Sequence, residues 1–219
     1  IGKVLVEGKT VTCGLNPIVF PRNVFAPPSL EYGADECLDC HSGARGPTEG
    51  DFNAWRSEKT NYLYKHGTYS TQPLPDLALL YPETMPRSDR EHFLEMLLGE
   101  LAALTGNRVT VSRQICYRLG SSPRSGSGVL AEARQIAESS ETMLPVIVLG
   151  RQLGSHVYGE LKNTLASMPT QCVTEWGVGR MLRDGKGSSR VRNLALGVLT
   201  AAGIQPWVLA DSLAHDFYA

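Results

Sequence analysis

From residue 77 to the C-terminus, apolar positions switch repeatedly between strand-like and helix-like spacing. Residues 77–81, closed by Pro82, make a short apolar run of strand length. Ser88-Asp89-Arg90-Glu91 then has the spelling of a capping box. Behind it Phe93, Leu94, Leu97, Leu98, Leu101 and Leu104 recur at helical spacing until Gly106-Asn107 stops the helix. Further on, the pattern predicts a strand over 109–111, a Ser/Gly/Pro turn over 120–128 and a helix over 129–139. Residues 145–149 read as a strand buried on both faces. A helix over 155–166, a strand over 170–173, a helix over 190–202 and a strand over 207–209 complete the series. Such alternation implies right-handed crossovers and an α/β fold, a Rossmann-like, mainly parallel sheet with flanking helices. Sheets of this kind bind ligands beyond the carboxyl ends of their strands. That nominates the loops after Tyr81, Val111, Leu149 and Val173.

The first 75 residues follow a different pattern, a short β/loop segment rich in Pro and Gly. Strands are expected over 4–6 and 10–12. An extended stretch begins at Pro27-Pro28, because each proline bars its predecessor from helical backbone. Residues 33–60 read as a polar loop without periodicity. No internal repeat is visible, and no apolar run reaches the roughly 18 residues of a membrane span. The chain starts at Ile1 without the charged start and apolar middle of a signal peptide. With Ala219 as its last residue and no natural-looking tail, it reads as a piece of a longer protein.

Composition narrows the function. With 219 residues, 42% hydrophobic and 20% charged, the chain can bury a real core, which excludes disordered and fibrous classes. A net charge of −1 argues against a general nucleic-acid coat. The charge is uneven, however. Residues 151–219 hold seven basic residues against five acids, and within 176–192 there are five bases (Arg180, Arg183, Lys186, Arg190, Arg192) against the single acid Asp184. Such a stretch is either a solvated loop or the surroundings of a phosphate-sized site. Five cysteines do not suggest a disulfide scaffold, so a reducing cytoplasm is the expected location.

Cys37-Leu38-Asp39-Cys40-His41 spells CxxCH. It reads as an incidental loop sequence, as part of a zinc site if Cys13 comes close, or as a haem attachment. A metal or haem module built on Cys37, Cys40 and His41 is therefore the alternative to nucleic-acid binding. No nucleophile elbow, Walker loop, GxGxxG or HExxH is present, and no acid/base pair can be named, so an enzyme is poorly supported.

A quieter constellation has better chemistry. Tyr158 and Lys162 stand i and i+4 at the start of the helix that follows the most buried strand, so they share one face where the helix dipole favours anions. A tyrosine offers a ring for stacking and a hydroxyl for a phosphate oxygen, and the lysine supplies charge. Gln171 lies nine residues on, at a strand end. Taken singly, a tyrosine at a core rim and a solvated lysine are ordinary.

At this point the chain resembles the MID domain, with a preceding linker, of a prokaryotic Argonaute or Piwi-like protein. The resemblance runs over roughly residues 26–219, with 1–25 as the end of a linker or preceding domain. Its anchors are Pro27-Pro28-Ser29-Leu30-Glu31-Tyr32-Gly33, then His66-Gly67-Thr68-Tyr69 leading to Leu77-Ala78-Leu79-Leu80-Tyr81-Pro82. Tyr158-Gly159-Glu160-Leu161-Lys162, Thr170-Gln171-Cys172 and Asn193-Leu194-Ala195-Leu196 follow, and Gly203-Ile204-Gln205-Pro206-Trp207 closes the set. The resemblance implies a lead-in segment over 61–75, an α/β core over 76–210, and at 211–219 the start of a connection to a PIWI domain.

The family's MID domain grips the 5′ end of a guide strand. Carried over, this implies that Tyr158, Lys162, Gln171 and Cys172 surround the 5′-phosphate and first base, and that Gly150, Arg151, Gln152, Leu153, Gly154 and Ser155 form the base-sensing loop. Thr68 replaces the family's usual proline. Ala201 stands where the family has a second lysine, which removes one charge from around a phosphate that carries nearly two. Arg183, Lys186 or Arg192 would compensate, or a divalent cation (Mg or Mn) would bridge, or the pocket would take a 5′-hydroxyl. The implied partners are a short guide RNA or DNA, a target strand, a PIWI domain in cis and, as in short prokaryotic Argonautes, a separate effector subunit. The family's nuclease carboxylates would lie downstream, so this chain is expected to bind and not to cleave, in guide-directed silencing or defence.

Overall fold

The computed structural model describes residues 2–6, 9–13, 28–39, 48–70, 72–120, 123–139 and 143–210. At the N-terminus β1 (Gly2–Val6) and β2 (Lys9–Cys13) pair antiparallel with Val4 opposite Val11, where two strands were expected. Next come β3 (Leu30–Glu31) and β4 (Cys37–Leu38), also antiparallel.

The expected polar loop over 33–60 is corrected by the structure, because α1 (Glu49–His66) occupies its second half. Thr48 and Asp51 form a reciprocal capping box that satisfies the first amides of this helix. Only Leu63 on α1 is fully buried, with Trp55, Tyr62 and Tyr64 leaning on the core. A helix held by its cap and a few large rings carries no apolar stripe, so periodicity could not reveal it.

The α/β part begins with β5 (Leu77–Pro82), α2 (Arg87–Thr105) and β6 (Val111–Tyr117). α3 (Ser127–Glu138), β7 (Leu144–Leu149), α4 (His156–Thr164) and β8 (Gln171–Thr174) follow. After them come α5 (Glu175–Asp184), α6 (Ser189–Ala201) and β9 (Val208–Leu209). The sheet runs β6-β5-β7-β8 with every neighbouring pair parallel. Buried side chains of α2, α5 and α6 pack on one face with Leu77, Leu79, Val146 and Val148. Those of α3 and α4 pack on the other with Ala78, Leu80 and Ile147. This is the three-layer α/β architecture that strand–helix alternation implies. Strand order reverses between β5 and β7, which places the ligand crevice at their carboxyl ends.

Four local expectations change. The Ser88 capping box does not form: α2 starts at Arg87 behind Pro86, and the Ser88 hydroxyl turns to Asp89. The strand expected over 109–111 lies at 111–117, because β6 is an edge strand whose polar, exposed residues hide its period. α5 fills a stretch left without an element. The strand expected at 207–209 forms as β9, but it pairs antiparallel with β3 and stays outside the parallel sheet.

This last pairing brings the scattered N-terminal and C-terminal anchor sequences together. Tyr32 is buried against the rings of Tyr62 and Trp207, and its hydroxyl donates to the Lys59 carbonyl at 2.9 Å. A Cβ on Gly33 would meet the His66 carbonyl oxygen at 2.4 Å, so only glycine fits there. The amides of Tyr69 and Ser70 donate to the carbonyls of Pro206 and Gln205.

Candidate nucleic-acid interface

The loop between β7 and α4 is fixed at both ends from outside itself. Tyr117, buried at the end of β6, donates its hydroxyl to the Val148 carbonyl (2.7 Å) and accepts the Gly150 amide (2.9 Å). Burial pushes this phenol well above the ordinary tyrosine range, so it stays protonated as the donor the geometry needs. Gly154 donates to the Arg124 carbonyl, and a Cβ on Gly154 would strike the His156 ring at 2.5 Å. Between the anchors the Arg151 amide donates to the Glu175 carboxylate. The loop floors a cleft of about 610 Å³ at the carboxyl end of the sheet, a size typical of small-ligand sites. Gly150, Arg151, Leu153, Gly154 and Ser155 line it, whereas Gln152 is exposed and not part of the lining.

Tyr158, 49% exposed, stands on the α4 wall of this cleft. One turn further, the Lys162 ammonium lies 5.8 Å from the Tyr158 ring and donates to the Thr170 carbonyl at 2.6 Å. Thr170 leads into β8, an edge strand, and the strand alternation splits the next two residues. Cys172 turns to the α4 side, where burial raises its thiol pKa against the pull of Lys162. Gln171 turns to α6, with its amide group against Gly197. Lys162 and Gln171 therefore flank the same sheet edge from its two sides. Ala201 sits one helical turn beyond Gly197, partly buried against the core.

The basic stretch is largely accounted for within the chain. Lys186 pairs with Glu95 at 2.7 Å, both exposed. Arg190 pairs with Asp184. Arg192 donates to the Tyr64 hydroxyl (2.9 Å) and the Gly187 carbonyl (3.3 Å), and lies 3.6 Å from buried Glu100, whose carboxylate also accepts a hydrogen bond from the Tyr64 hydroxyl. The structure thus places Lys186 and Arg192 in internal ion pairs and not beside Lys162. Arg183 is different: its guanidinium and that of Arg151 would lie 3.8 and 3.9 Å from a Cβ on Gly179, so two cations flank one point on α5.

Cys37, on β4, is exposed and its thiol contacts the Asp39 carboxylate. Cys40, His41 and the side chain of Cys13 lie outside the described residues, as does the segment 211–219. Among the described residues no group of three or more His, Cys, Asp or Glu could hold a metal ion. Among the same residues no helix is long and apolar enough to cross a membrane.

Neither protein-family models nor curated proteins give a match to the sequence. Solved structures do. Clostridium butyricum Argonaute bound to a guide DNA (5′ deoxycytidine) and a 19-mer target DNA superposes with a TM-score of 0.58 at 18% identity, over 87% of this chain and 25% of its own. Drosophila Piwi gives 0.57 at 12% identity, over 87% and 24%. Aa-Ago with externally bound siRNA gives 0.56 at 12% identity, over 84% and 24%. The fold is that of an Argonaute domain.

This chain spans about a quarter of the length of the Argonaute and Piwi structures it matches, the extent of a single domain such as MID. Within that Argonaute fold, Trp176 is a cleft-lining residue that sequence reasoning missed, with Arg180 one turn further along α5. Their i, i+4 spacing is the same as that of Tyr158 and Lys162, but the helix carrying them had not been assigned.

Proposed function

We propose that this chain holds the 5′ end of a short guide nucleic acid, with the 5′-phosphate at Lys162 and Gln171 and the first base against Tyr158 in the cleft. The observation that carries this reading is the state of Lys162. Among the described residues its half-buried ammonium meets a carbonyl and an aromatic face but no carboxylate. A cation held by dipoles alone has its charge left for an anion. The Argonaute fold supports the reading, since the solved structures it matches include one bound to guide DNA and one with siRNA. Recognising one end needs only a few local charges, which agrees with a net charge of −1.

Ala201 leaves the site one cation short. Arg151 and Arg183, whose guanidinium groups meet at Gly179 on α5, are the cations left to supply it in this reading, since Lys186 and Arg192 are paired elsewhere. Tyr158, Lys162, Gln171 and Cys172 offer no carboxylate and only two neutral oxygens, the Tyr158 hydroxyl and the Gln171 amide, and so do not make a Mg or Mn site by themselves. The chain then serves as the binding part of a guide-directed silencing or defence protein. Target strand, PIWI domain in cis and any effector subunit act through the longer assembly, and cleavage lies outside this chain.

Fluorescence polarisation with matched 5′-phosphorylated and 5′-hydroxyl oligonucleotides tests it. A clear preference for the phosphate is expected, and Lys162→Ala should abolish it with a loss of roughly thirtyfold, the size of a hydrogen bond to a charged group. Equal affinity for both ends, unmoved by Lys162→Ala, overturns the proposal.

A further inference from the structure

Two exposed aromatic side chains line the cleft, and each carries a cation one turn along its own helix. On α4 it is Tyr158 with Lys162, 5.8 Å from ring to ammonium. On α5 it is Trp176 with Arg180, whose guanidinium lies 4.7 Å from the indole centroid. Trp176 is 56% exposed, more than Tyr158, Leu209 or Tyr69, the other exposed large apolar side chains among the described residues. Its helix starts directly after β8 with Thr174 as a side-chain N-cap, which fixes the direction in which the indole leaves the backbone. The two helices belong to opposite layers of the sandwich, so the cleft has an aromatic ring on each wall, each with its cation one turn further along the helix, and the loop between β7 and α4 as floor.

Two exposed rings lining one cleft make an apolar patch of the kind that marks a binding site. The charge pattern says what covers it. Glu175, beside it, is turned inward to the Arg151 amide. Arg180 holds a positive charge over the indole ring, and no acid pairs with it among the described residues. A π face backed by a cation, repeated across one cleft, suits successive bases and phosphates of a single strand.

Resting on the guide-end reading above, the geometry points to Trp176 and Arg180 as a second nucleotide subsite. Trp176 stacks on the base that follows the one at Tyr158, and Arg180 faces the phosphate joining them. Stacking reads no base identity, so this subsite adds affinity and a direction for the exiting strand without adding sequence preference. A protein surface docking on Trp176 is the competing use.

The test is competition against a fluorescein-labelled, 5′-phosphorylated guide by a 5′-phosphorylated mononucleotide and dinucleotide, using wild type, Trp176→Ala and Trp176→Phe. Trp176 is exposed, so its removal should leave the fold intact. In wild type the second nucleotide is expected to tighten binding about tenfold. Trp176→Ala should lose that gain while keeping mononucleotide affinity, Trp176→Phe should retain most of it, and the gain should be the same for purine and pyrimidine second bases. A dinucleotide gain that survives in Trp176→Ala overturns the subsite, and gives the indole to protein docking if the variant also loses a protein partner. Equal losses for mono- and dinucleotide also overturn it, because Trp176 would then belong to the first-base site. A wild-type chain that binds the phosphorylated mononucleotide but gains nothing from the second nucleotide overturns this inference alone. Failure to bind the labelled guide at all removes the guide-end reading and the subsite with it.

Discussion

Arg192 and Lys162 are both partly buried cations on helices beside the same sheet, and their surroundings differ in one respect. Arg192 is enclosed at the junction of α1, α2 and α6 by the Tyr64 hydroxyl, the Gly187 carbonyl and the Glu100 carboxylate. Lys162, at the β8 edge, has the Thr170 carbonyl and the Tyr158 ring, and no acid among the described residues. The first cation is neutralised by its own fold and works for stability. The second is oriented but not neutralised, as the proposed phosphate site requires. Counting charges along the sequence could not separate them, and partner identity does.

The largest effect expected from breaking this contrast is on the Arg192 side. Glu100→Ala removes the acid, only 7% exposed, that faces Arg192 and Tyr64. A loss of about 3 kcal/mol is expected, as for one partner of a buried pair, visible as a thermal midpoint lower by roughly 6–12 °C. Guide affinity measured well below the transition should stay unchanged. Lys162→Ala should show the mirror image, with its large affinity loss and a midpoint that barely moves. If the two variants do not separate in this way, the distinction between a structural and a receptive cation fails.

Next in size is a gain. Ala201→Lys places an ammonium in the last turn of α6, where the helix dipole welcomes a cation, one turn from the Gly197 that Gln171 touches. Affinity for a 5′-phosphorylated guide should rise roughly fivefold, the worth of about 1 kcal/mol for a partly exposed charge pair, with no change for the 5′-hydroxyl form. Titration of both guides checks it. The smallest effect belongs to Lys186→Ala. Its bond to Glu95 is exposed on both sides, so stability and guide affinity should each change by less than about 0.5 kcal/mol.

How much of this was legible in the sequence depended on where burial writes a period. β5 and β7 are sunk in the sheet as apolar runs, and α2 buries Phe93, Leu97, Leu101 and Leu104 in a stripe, so both patterns were readable. α1 buries little beyond Leu63 and is defined by the Thr48–Asp51 cap, and β6 shows polar residues to solvent along an edge. Neither leaves a period to find. At the site, Tyr158 and Lys162 were visible because helical spacing alone joins them. The separation of Lys186 and Arg192 from the site was not, because it depends on Glu95, Tyr64 and Glu100, which lie far from them in the chain. Trp176 and Arg180 stayed hidden for a local reason: α5 follows β8 without a break, leaving no turn residue to announce it.

The loop between β7 and α4 is held by three amides, Gly150 on the Tyr117 hydroxyl, Arg151 on the Glu175 carboxylate and Gly154 on the Arg124 carbonyl. All three anchoring partners come from other segments of the chain, and none of these bonds uses a loop side chain. Of the positions between the two glycines, Leu153 still packs against the core beneath, but the exposed side chains of Arg151 and Gln152 take no part in the anchoring, so exchanges at those two can change the rim of the cleft while the sheet stays as it is.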